Sequence, residues 1–370
     1  MKKILFFIDS LGYGGAEKVL VNLLNRMDRS KYDITLLSIF DSGVNLKYLD
    51  QSIRRKYIFK KVFRGNVTLF KLFTPQYLYK KYIQEKYDVI ISFLEGNTTR
   101  ILSGCPYKDT KKIAWIHVEM NEKSRFHPYR SKTECFRCYQ QFDRIVGVSK
   151  NVVESFESHL GHWDTLCVKY NTVDTDYVRK ASEEKIDIVF SHKVSNLVSV
   201  GRLVEQKSYM RLLKIHKRLL EKGYNHRLYI LGEGVQKKML QNYIEENNLN
   251  QSAILLGFKD NPWAYVAKAD FFVCSSWKEG FSTAVTEALI VGTPVITTRC
   301  SGMEELLGQN NEYGIITEND EAALEAGIEK LLSDKRLLEY YAERAQERGK
   351  KFETAYTVQA VEEMIDELFE

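Results

Sequence analysis

The sequence contains no apolar segment long enough to cross a membrane. A spanning helix needs roughly 18 consecutive residues almost free of charge, and no stretch of the 370 residues approaches that. The apolar run at residues 4–8 is short, is interrupted by Asp9 and has no cleavage site after it, which does not fit a secretory signal. We therefore expect a cytoplasmic protein whose first strand is this run.

Disulfide frameworks and metal-ligand clusters are also missing from the sequence. Among six cysteines only Cys135 and Cys138 are closely spaced, and neither a second such pair nor a histidine pair accompanies them. We predict reduced structural thiols, with a redox role for this pair as the alternative. No metal site is expected.

The remaining composition is that of a globular protein with more than one core. Hydrophobic residues make up 44% and charged residues 28% of the chain, and 370 residues suit two domains. Strands and helices alternate, which predicts α/β domains. A polar, irregular segment at residues 176–194 is the best linker candidate. The predicted domains are residues 1–175 and 195–351, and residues 352–370 form a terminal helix.

Two glutamates with seven residues between them, Glu279 and Glu287, mark the most informative segment. An apolar strand at residues 269–274 precedes them, and residues 283–291 have helical periodicity. Glu279 would therefore follow the carboxyl end of a strand, where open α/β sheets bind ligands. One carboxylate could accept hydrogen bonds from a sugar and the other from a ribose, although solvated surface glutamates are the alternative. Three free backbone N–H groups at the helix start could bind an anion, those of Gly280, Phe281 and Ser282.

Further turns in the predicted second domain suit a nucleotide diphosphate. Arg202 and Lys207 follow a strand at residues 197–200, and two cations so placed could clamp the diphosphate and stabilise its departure. Two later turns suit a nucleotide and its base pocket, and their residues are Gly232, Gly257 and Phe258.

The predicted first domain offers a glycine-rich turn and a histidine. Gly14 and Gly15 lie between the first strand and a helix, where a ligand could approach the backbone, or where a tight turn has no ligand. The turn is not GxGxxG and no acidic ribose-binding residue is evident, so a dinucleotide site is disfavoured. His117 ends a strand at residues 112–117, and by composition alone a structural role is favoured over a functional one.

Basic and aromatic residues are concentrated between residues 54 and 86. Such a mixture can lie on an anionic bilayer, as an ordinary solvated face, or on nucleic acid; we favour the bilayer and expect no nucleic acid. The cations assigned to membrane or acceptor contact are Arg54, Arg55, Lys56, Lys60, Lys61 and Arg64.

Taken together, these motifs resemble those of glycosyltransferase family 4, whose members have the GT-B fold. The resemblance is most specific over residues 198–307 and rests on these strings: Glu279-Gly280-Phe281-Ser282, four residues, Glu287-Ala288-Leu289, then Gly292-Thr293-Pro294-Val295; Gly201-Arg202-Leu203 with Lys207; and Gly14-Gly15-Ala16-Glu17. It implies two Rossmann-like domains facing across a cleft, the first for the acceptor and the second for the donor, with the terminal helix packing back on the first.

The resemblance also implies an activity: retaining transfer of a sugar from a nucleoside-diphosphate sugar to a hydroxyl of a glycan. By family register, Arg202 and Lys207 bind the diphosphate, Glu287 binds the ribose, and Glu279 contacts the sugar together with His117. The backbone of Gly14 and Gly15 would face the donor's phosphate or the acceptor. No metal or other cofactor is expected, because two cations and helix N-termini already neutralise the phosphates. We expect UDP as the nucleotide, with GDP as the alternative. We also expect a polyprenyl-diphosphate-linked acceptor for surface polysaccharide and a peripheral position on the inner face of the cell membrane.

Three alternatives remain open from the sequence. A nucleotide-sugar epimerase would share the architecture, but an acid and base pair for it is not evident. An NAD-dependent oxidoreductase is disfavoured by the missing GxGxxG. A non-catalytic sugar-nucleotide-binding subunit is opposed by the presence of Arg202, Lys207, Glu279 and Glu287.

Overall fold

The computed structural model describes residues 1–12, 14–63, 65–120, 126–191 and 193–370. The chain divides into two compact units. The first unit contains Met1–Thr172 together with Thr354–Glu370, and the second unit contains Val173–Glu353. Both are α/β units built on parallel sheets, as the alternation of strands and helices predicts.

The first unit is built on a parallel sheet in the order β3-β2-β1-β4-β5-β6-β7. Strands β1 and β4 are almost wholly buried, which is usual for parallel strands covered on both faces. The strands are β1 (Lys2–Ile8), β2 (Tyr32–Phe40), β3 (Arg54–Phe59), β4 (Val89–Ser92), β5 (Lys111–Ile116), β6 (Arg144–Gly147) and β7 (Leu166–Val168). The helices are α1 (Gly15–Arg26), α2 (Asn66–Lys71), α3 (Pro75–Tyr82), α4 (Asn97–Leu102), α5 (Lys132–Tyr139) and α6 (Lys150–Leu160).

The second unit has a parallel sheet in the order β10-β9-β8-β11-β12-β13. Its strands are β8 (Ser195–Val200), β9 (His226–Leu231), β10 (Ala253–Gly257), β11 (Phe271–Cys274), β12 (Val295–Thr298) and β13 (Ile315–Thr317). Its helices are α7 (Thr175–Ser182), α8 (Tyr209–Glu221), α9 (Lys237–Glu246), α10 (Trp263–Val266), α11 (Thr283–Ile290), α12 (Met303–Leu307), α13 (Glu321–Ser333) and α14 (Lys335–Gly349).

In each sheet the strand order reverses once, and this fixes where a ligand can bind. The reversal lies between β1 and β4 in the first unit and between β8 and β11 in the second. In open α/β sheets the loops that follow the carboxyl ends of such strands diverge and leave a crevice for a ligand.

The carboxyl-terminal helix, α15 (Thr354–Asp366), belongs to the first unit. Asp366 accepts hydrogen bonds from Lys2 at 2.7 Å and from Tyr32 Oη at 3.0 Å, while Glu362 Oε1 accepts one from the Asp28 amide at 2.7 Å. Val361 and Ile365 are buried. The predicted packing of this helix on the first domain is confirmed.

Residues 176–194, interpreted from the sequence as a linker, are part of the second unit instead. Most of α7 falls within them, and Val178 and Ala181 are buried. Asn261 Nδ2 donates to the Ala181 carbonyl at 2.7 Å, which ties α7 to the loop after β10. The segment is polar because only one face of α7 is covered, and that polarity suggested a linker.

Among the described residues, no helix has both the length and the apolar character required to traverse a bilayer.

Candidate functional site

The residues of the second unit that were predicted to bind a nucleotide sugar are gathered at one edge of the second sheet. Arg202 and Lys207 follow β8, and Glu279 follows β11, the two strands at which the order reverses. Gly232 follows the neighbouring β9, and Gly257 ends β10 beside it. The sequence predicts that these residues lie close together, because each follows a predicted strand and the carboxyl ends of parallel strands share one edge of a sheet.

Glu279 lies at the centre of this edge in a buried hydrogen-bonded group. Its Oε1 atom accepts from Lys207 Nζ at 2.6 Å and from Ser276 Oγ at 2.6 Å, and Cys274 Sγ lies 4.0 Å away. Glu279 is buried, and 19% of the Lys207 side chain is exposed. Burial lowers the pKa of Lys207, but the adjacent Glu279 outweighs it and the net shift is upward, so this lysine stays charged.

The start of α11 follows directly and presents backbone N–H groups at the same edge. Ser282 caps the helix by accepting from the Val285 amide at 3.4 Å. Gly280, Phe281 and Ser282 are buried, and Phe281 packs on Phe352 with ring centroids 6.1 Å apart. Glu287 is also buried, one turn into α11. A positive helix end beside Lys207 favours an anionic ligand.

Glycines allow the neighbouring loops to pack backbone against backbone. Gly232 has φ 142°, and a Cβ there would lie 1.9 Å from the Gly201 carbonyl oxygen. A Cβ on Gly201 would lie 2.8 Å from Tyr209 Oη. Arg202, the residue after Gly201, is exposed at this edge.

The predicted base pocket lies at the next strand. Gly257 has φ 71°, and its carbonyl accepts from the Gly232 amide at 2.8 Å. Phe258 beside it is half exposed. An exposed aromatic ring can hold a planar base by stacking.

At the corresponding edge of the first unit, His117 is buried and electrically neutral. Burial lowers the pKa of His117 to about 3, although a hydrogen bond with the Phe93 backbone opposes the shift. Its amide donates to Glu95 Oε2 at 3.1 Å, and its Nε2 atom has no partner among the described residues. Because the other ring nitrogen donates its hydrogen to the Phe93 carbonyl, Nε2 of the neutral ring carries no hydrogen and is an acceptor.

Two more acceptor atoms at the same edge lack partners within the part of the chain that the structure describes. They are Asp9 Oδ1, after β1, and Asn97 Oδ1, after β4. Burial raises the pKa of Asp9 to about 6, assisted by Glu17 and Glu95. Unpaired buried acceptors are costly, and the hydroxyl groups of a sugar are donors that could satisfy them.

The predicted phosphate contact at Gly14 and Gly15 has an acidic neighbour. Gly15 begins α1, but a Cβ on Gly14 would lie 1.9 Å from the Glu17 carboxylate. The Glu17 carboxylate thus occupies the space beside the Gly14 Cα, and its negative charge would repel a phosphate there. Sequence reasoning missed this because Glu17 lies one turn into the helix and its direction is not evident from spacing.

The basic segment of residues 54–86 is partly neutralised. Arg54 pairs with Glu85 at 3.0 Å, Lys56 also pairs with Glu85, and Arg55 pairs with Asp41 at 3.2 Å. Lys60 and Lys61 are exposed, and Arg64 lies outside the described residues. Several aromatic side chains of the segment pack on one another; among them Phe70 is buried, and Phe59 and Tyr82 are partly buried.

A smaller exposed surface remains on this segment, which we call the basic apolar surface. It combines cations with large apolar side chains that are 48–68% exposed. Phe73 and Tyr77 stack at 5.0 Å, and Lys81 Nζ lies within 6 Å of both rings, at 5.9 and 5.8 Å. Its members are Lys60, Lys61, Val62, Leu72, Tyr77, Lys80 and Lys81.

The Cys135 and Cys138 thiols are free and buried on α5. Burial raises their pKa values to about 12 and about 11 respectively. Thiols that are protonated and inaccessible at neutral pH are poor nucleophiles, so a structural role fits them better than a redox role.

Comparison with known families and proteins gives concordant matches. The model for glycosyl transferases group 1 matches residues 181–348, and that for Glycosyltransferase Family 4 matches residues 13–177. A Campylobacter jejuni protein is 30% identical over 95% of this chain and 96% of its own length. It is named N-acetylgalactosamine-N,N'-diacetylbacillosaminyl-diphospho-undecaprenol 4-alpha-N-acetylgalactosaminyltransferase.

A second Campylobacter jejuni protein, named as an alpha-1,4-N-acetyl-D-galactosaminyltransferase acting on a GalNAc-containing PP-undecaprenol glycan, is 25% identical over 96% of each chain. Among solved structures, Anabaena HepE in complex with UDP and glucose superposes with a TM-score of 0.77. The match covers 99% of this chain and 100% of HepE at 18% identity, so it shows the fold alone.

Proposed function

Because this chain belongs to glycosyltransferase family 4 and has the GT-B fold, we propose that it is a retaining enzyme that transfers a sugar from a UDP-sugar. The observation that carries this proposal is the buried pair of Lys207 and Glu279 beside the start of α11, at the strand-order reversal of the second sheet. One edge there offers cations and helix N–H groups for a diphosphate, and carboxylates for hydroxyls.

The donor would be held by a division of roles among these groups. Arg202 and Lys207 bind the diphosphate, and the backbone of Gly280 and Phe281 adds N–H donors. Glu287 accepts from the ribose hydroxyls, and Glu279 accepts from a hydroxyl of the sugar. UDP is favoured as the nucleotide because HepE, which shares the fold, binds UDP.

Retention follows from substitution on one face of the anomeric carbon. The acceptor oxygen forms its bond on the side from which the diphosphate leaves, and its proton passes to a departing phosphate oxygen. Arg202 and Lys207 stabilise the charge that develops on the leaving group, which is the step such groups accelerate. We propose that the two cations and the helix end suffice and that no metal is required.

The acceptor is proposed to be a glycan on a polyprenyl diphosphate, used in building surface polysaccharide. Both Campylobacter jejuni relatives are named for undecaprenol diphosphate-linked sugars. In the first unit, the acceptor atoms of Asp9, Asn97 and His117 that lack a partner among the described residues suit the hydroxyls of a sugar and not an anion.

Such an acceptor is membrane-bound, and the basic apolar surface offers a means of reaching it. Lys60, Lys61 and Lys81 would lie over anionic headgroups, with Leu72 and Tyr77 at the apolar boundary. We therefore place the protein on the inner face of the cell membrane as a peripheral protein.

The activity is tested by incubating the purified protein with UDP-sugars, including UDP-N-acetylgalactosamine, and a short-chain polyprenyl-diphosphate glycan, with and without EDTA. We expect a product whose new linkage has the α-configuration of the donor by NMR, formed equally with EDTA and lost in Glu279→Gln. An inverted linkage would refute retention. Isomerised UDP-sugar formed without an acceptor would indicate an epimerase instead.

Membrane association is tested by flotation with vesicles containing anionic lipid at low salt. Reversing two exposed charges, Lys60→Glu with Lys61→Glu, should abolish flotation because each cation contributes about 1 kcal/mol near an anionic surface. The matched control, Lys335→Glu with Arg336→Glu, makes the same charge change on exposed residues of α14 and should float normally. Equal flotation of both variants would contradict the assignment.

A further inference from the structure

Four successive backbone carbonyls precede Glu279, and each accepts a hydrogen bond from a side chain. Ser275 O accepts from Arg211 Nη2. Ser276 O accepts from Thr298 Oγ1 at 2.6 Å, Trp277 O from Asn319 Nδ2 at 3.0 Å, and Lys278 O from Gln206 Nε2 at 2.7 Å. We call residues 275–278 the tethered loop.

The donors come from four different parts of the second unit. Gln206 lies in the turn before α8 and Arg211 within α8, Thr298 ends β12, and Asn319 follows β13. A loop is normally free to move because water satisfies its carbonyls. Here protein donors on several sides replace water, so the backbone of the tethered loop is fixed before any ligand arrives.

Further contacts strengthen the same restraint. The Arg211 guanidinium stacks on the Trp277 ring with its carbon 3.7 Å from the ring centroid, and it also donates to Asn319 Oδ1 at 3.0 Å. The Trp277 amide donates to the Gln206 carbonyl at 2.8 Å, which closes a second bond between the loop and the turn.

The carboxylate that follows the loop is aimed in one direction. Lys207, Ser276 and Cys274 all approach Oε1 of Glu279. With Oε1 engaged by two short hydrogen bonds and the backbone fixed, Oε2 is the oxygen available to a ligand.

We propose that the four side chains that hold the tethered loop are positioning residues, which aim Glu279 Oε2 at a hydroxyl of the transferred sugar. This inference rests on the proposed role of Glu279 in donor binding. They act through Glu279 and do not touch the nucleotide, so they influence UDP-sugar turnover and leave UDP binding unaffected.

Two isosteric substitutions test the proposal. Thr298→Val removes the hydroxyl donor and keeps the shape, whereas Thr298→Ser keeps the donor. Gln206→Glu removes the amide donor at an exposed position and is safe for folding, and Gln251→Glu is its matched control on an exposed residue. For each variant, kcat and KM for the UDP-sugar are measured together with Kd for UDP.

We expect kcat/KM for the UDP-sugar to fall about tenfold or more in Thr298→Val and Gln206→Glu, since small displacements of a substrate-positioning group are costly. Thr298→Ser and Gln251→Glu should stay within about threefold of the wild type, and Kd for UDP should change less than about twofold throughout.

Three outcomes would overturn the inference. Unchanged turnover in both donor-removing variants would show that the tethers do not position Glu279. A loss of UDP affinity equal to the loss in turnover would make them supports of the nucleotide site. If Glu279→Gln itself turned over normally while UDP still bound, the proposed role of Glu279 would fail first, and the inference with it.

Discussion

At the scale of single residues, the pair of Lys207 and Glu279 has a measurable consequence for stability. Lys207→Met leaves a buried carboxylate beside Ser276 without its cation, and breaking such a pair costs about 3 kcal/mol. Adding Glu279→Gln removes the unpaired charge, so the double variant should recover much of the free energy of unfolding. Urea unfolding of the wild type, Lys207→Met, Glu279→Gln and the double variant measures the coupling free energy.

The pair formed by Lys237 and Glu233 is the control, because its side chains are about half exposed. Exposed pairs at this spacing are worth about 0.5 kcal/mol or less. Similar coupling in both pairs would contradict the description of the first as buried and strongly interacting.

A histidine pair at the other end of the second sheet makes stability depend on pH. His216 Nδ1 lies 2.7 Å from His226 Nε2, and His216 Nε2 lies 2.9 Å from Ser252 Oγ. Burial and then His226 lower the pKa of His216 to about 3, and burial lowers the pKa of His226. In the unfolded chain both histidines have a pKa of about 6.5.

Between these values the unfolded chain binds more protons than the folded one, so the free energy of unfolding falls as pH decreases below about 6.5. The slope is about 1.4 kcal/mol per pH unit for each such histidine. In His216→Gln the decrease between pH 7 and 5.5 should be smaller by about 1 kcal/mol. Urea unfolding at the two pH values checks this, with exposed His127→Gln as the control; equal slopes in all three proteins would refute it.

At the scale of elements, the loops after β8 and β9 depend on one glycine. Gly232→Ala would place a Cβ 1.9 Å from the Gly201 carbonyl oxygen, in addition to the strain of a positive φ. Gly223 also has positive φ, 91°, but nothing lies within 4 Å of its would-be Cβ. Gly223→Ala should therefore cost only the backbone strain, about 1 kcal/mol.

We expect Gly232→Ala to cost clearly more than Gly223→Ala and to weaken UDP binding, because the loop bearing Arg202 must shift. Thermal unfolding and UDP titration of both variants measure this. Equal losses of stability with normal UDP binding in both would show that the backbone contact does not organise the nucleotide edge.

Elements also show what spacing can and cannot predict. The strand, loop and helix around Glu279 and Glu287 were predicted because apolar runs and helix-ending residues are local signals. The tethers of residues 275–278 were not, since Arg211 and Asn319 lie far away in sequence and belong to no motif. The ion pairs of Arg54 and Arg55 were likewise not predicted, because Glu85 and Asp41 lie outside β3 and the spacing of charges along the chain does not show which of them meet.

At the scale of the whole chain, the return of α15 to the first unit joins the two ends of the sequence. Val361→Asp places a charge in the buried face of this helix and should destabilise the first unit by about 3 kcal/mol or more. Gln359→Asp, on its exposed face, should cost about 1 kcal/mol or less, through the lost hydrogen bond to Glu363 and the added like charge. Hydrogen exchange of β1 and β2 reports the first unit, and unchanged protection in Val361→Asp would contradict the packing.

The division into two units was predicted from length and from the renewed strand pattern after residue 194, and the fold followed from the motifs. The predicted second domain begins at residue 195, whereas the second unit begins at Val173. The difference arises because α7 is polar on most of its surface and therefore resembles a linker in composition. No single residue of the sequence indicates which nucleotide and sugar the proposed site would accept, because the backbone groups of Gly232, Gly257 and Gly280 are chemically the same whatever the ligand.

The central claim is a nucleotide-diphosphate site at the strand-order reversal of the second sheet. The most direct test is a thermal-shift series with UDP, GDP and ADP on the wild type, Arg202→Ala, Glu287→Ala and exposed Arg336→Ala. We predict that UDP alone stabilises the wild type and Arg336→Ala, by about 2.7 kcal/mol at a hundred times Kd, and that both site variants lose the effect. Absence of any shift, or an equal shift in all four proteins, would contradict the claim.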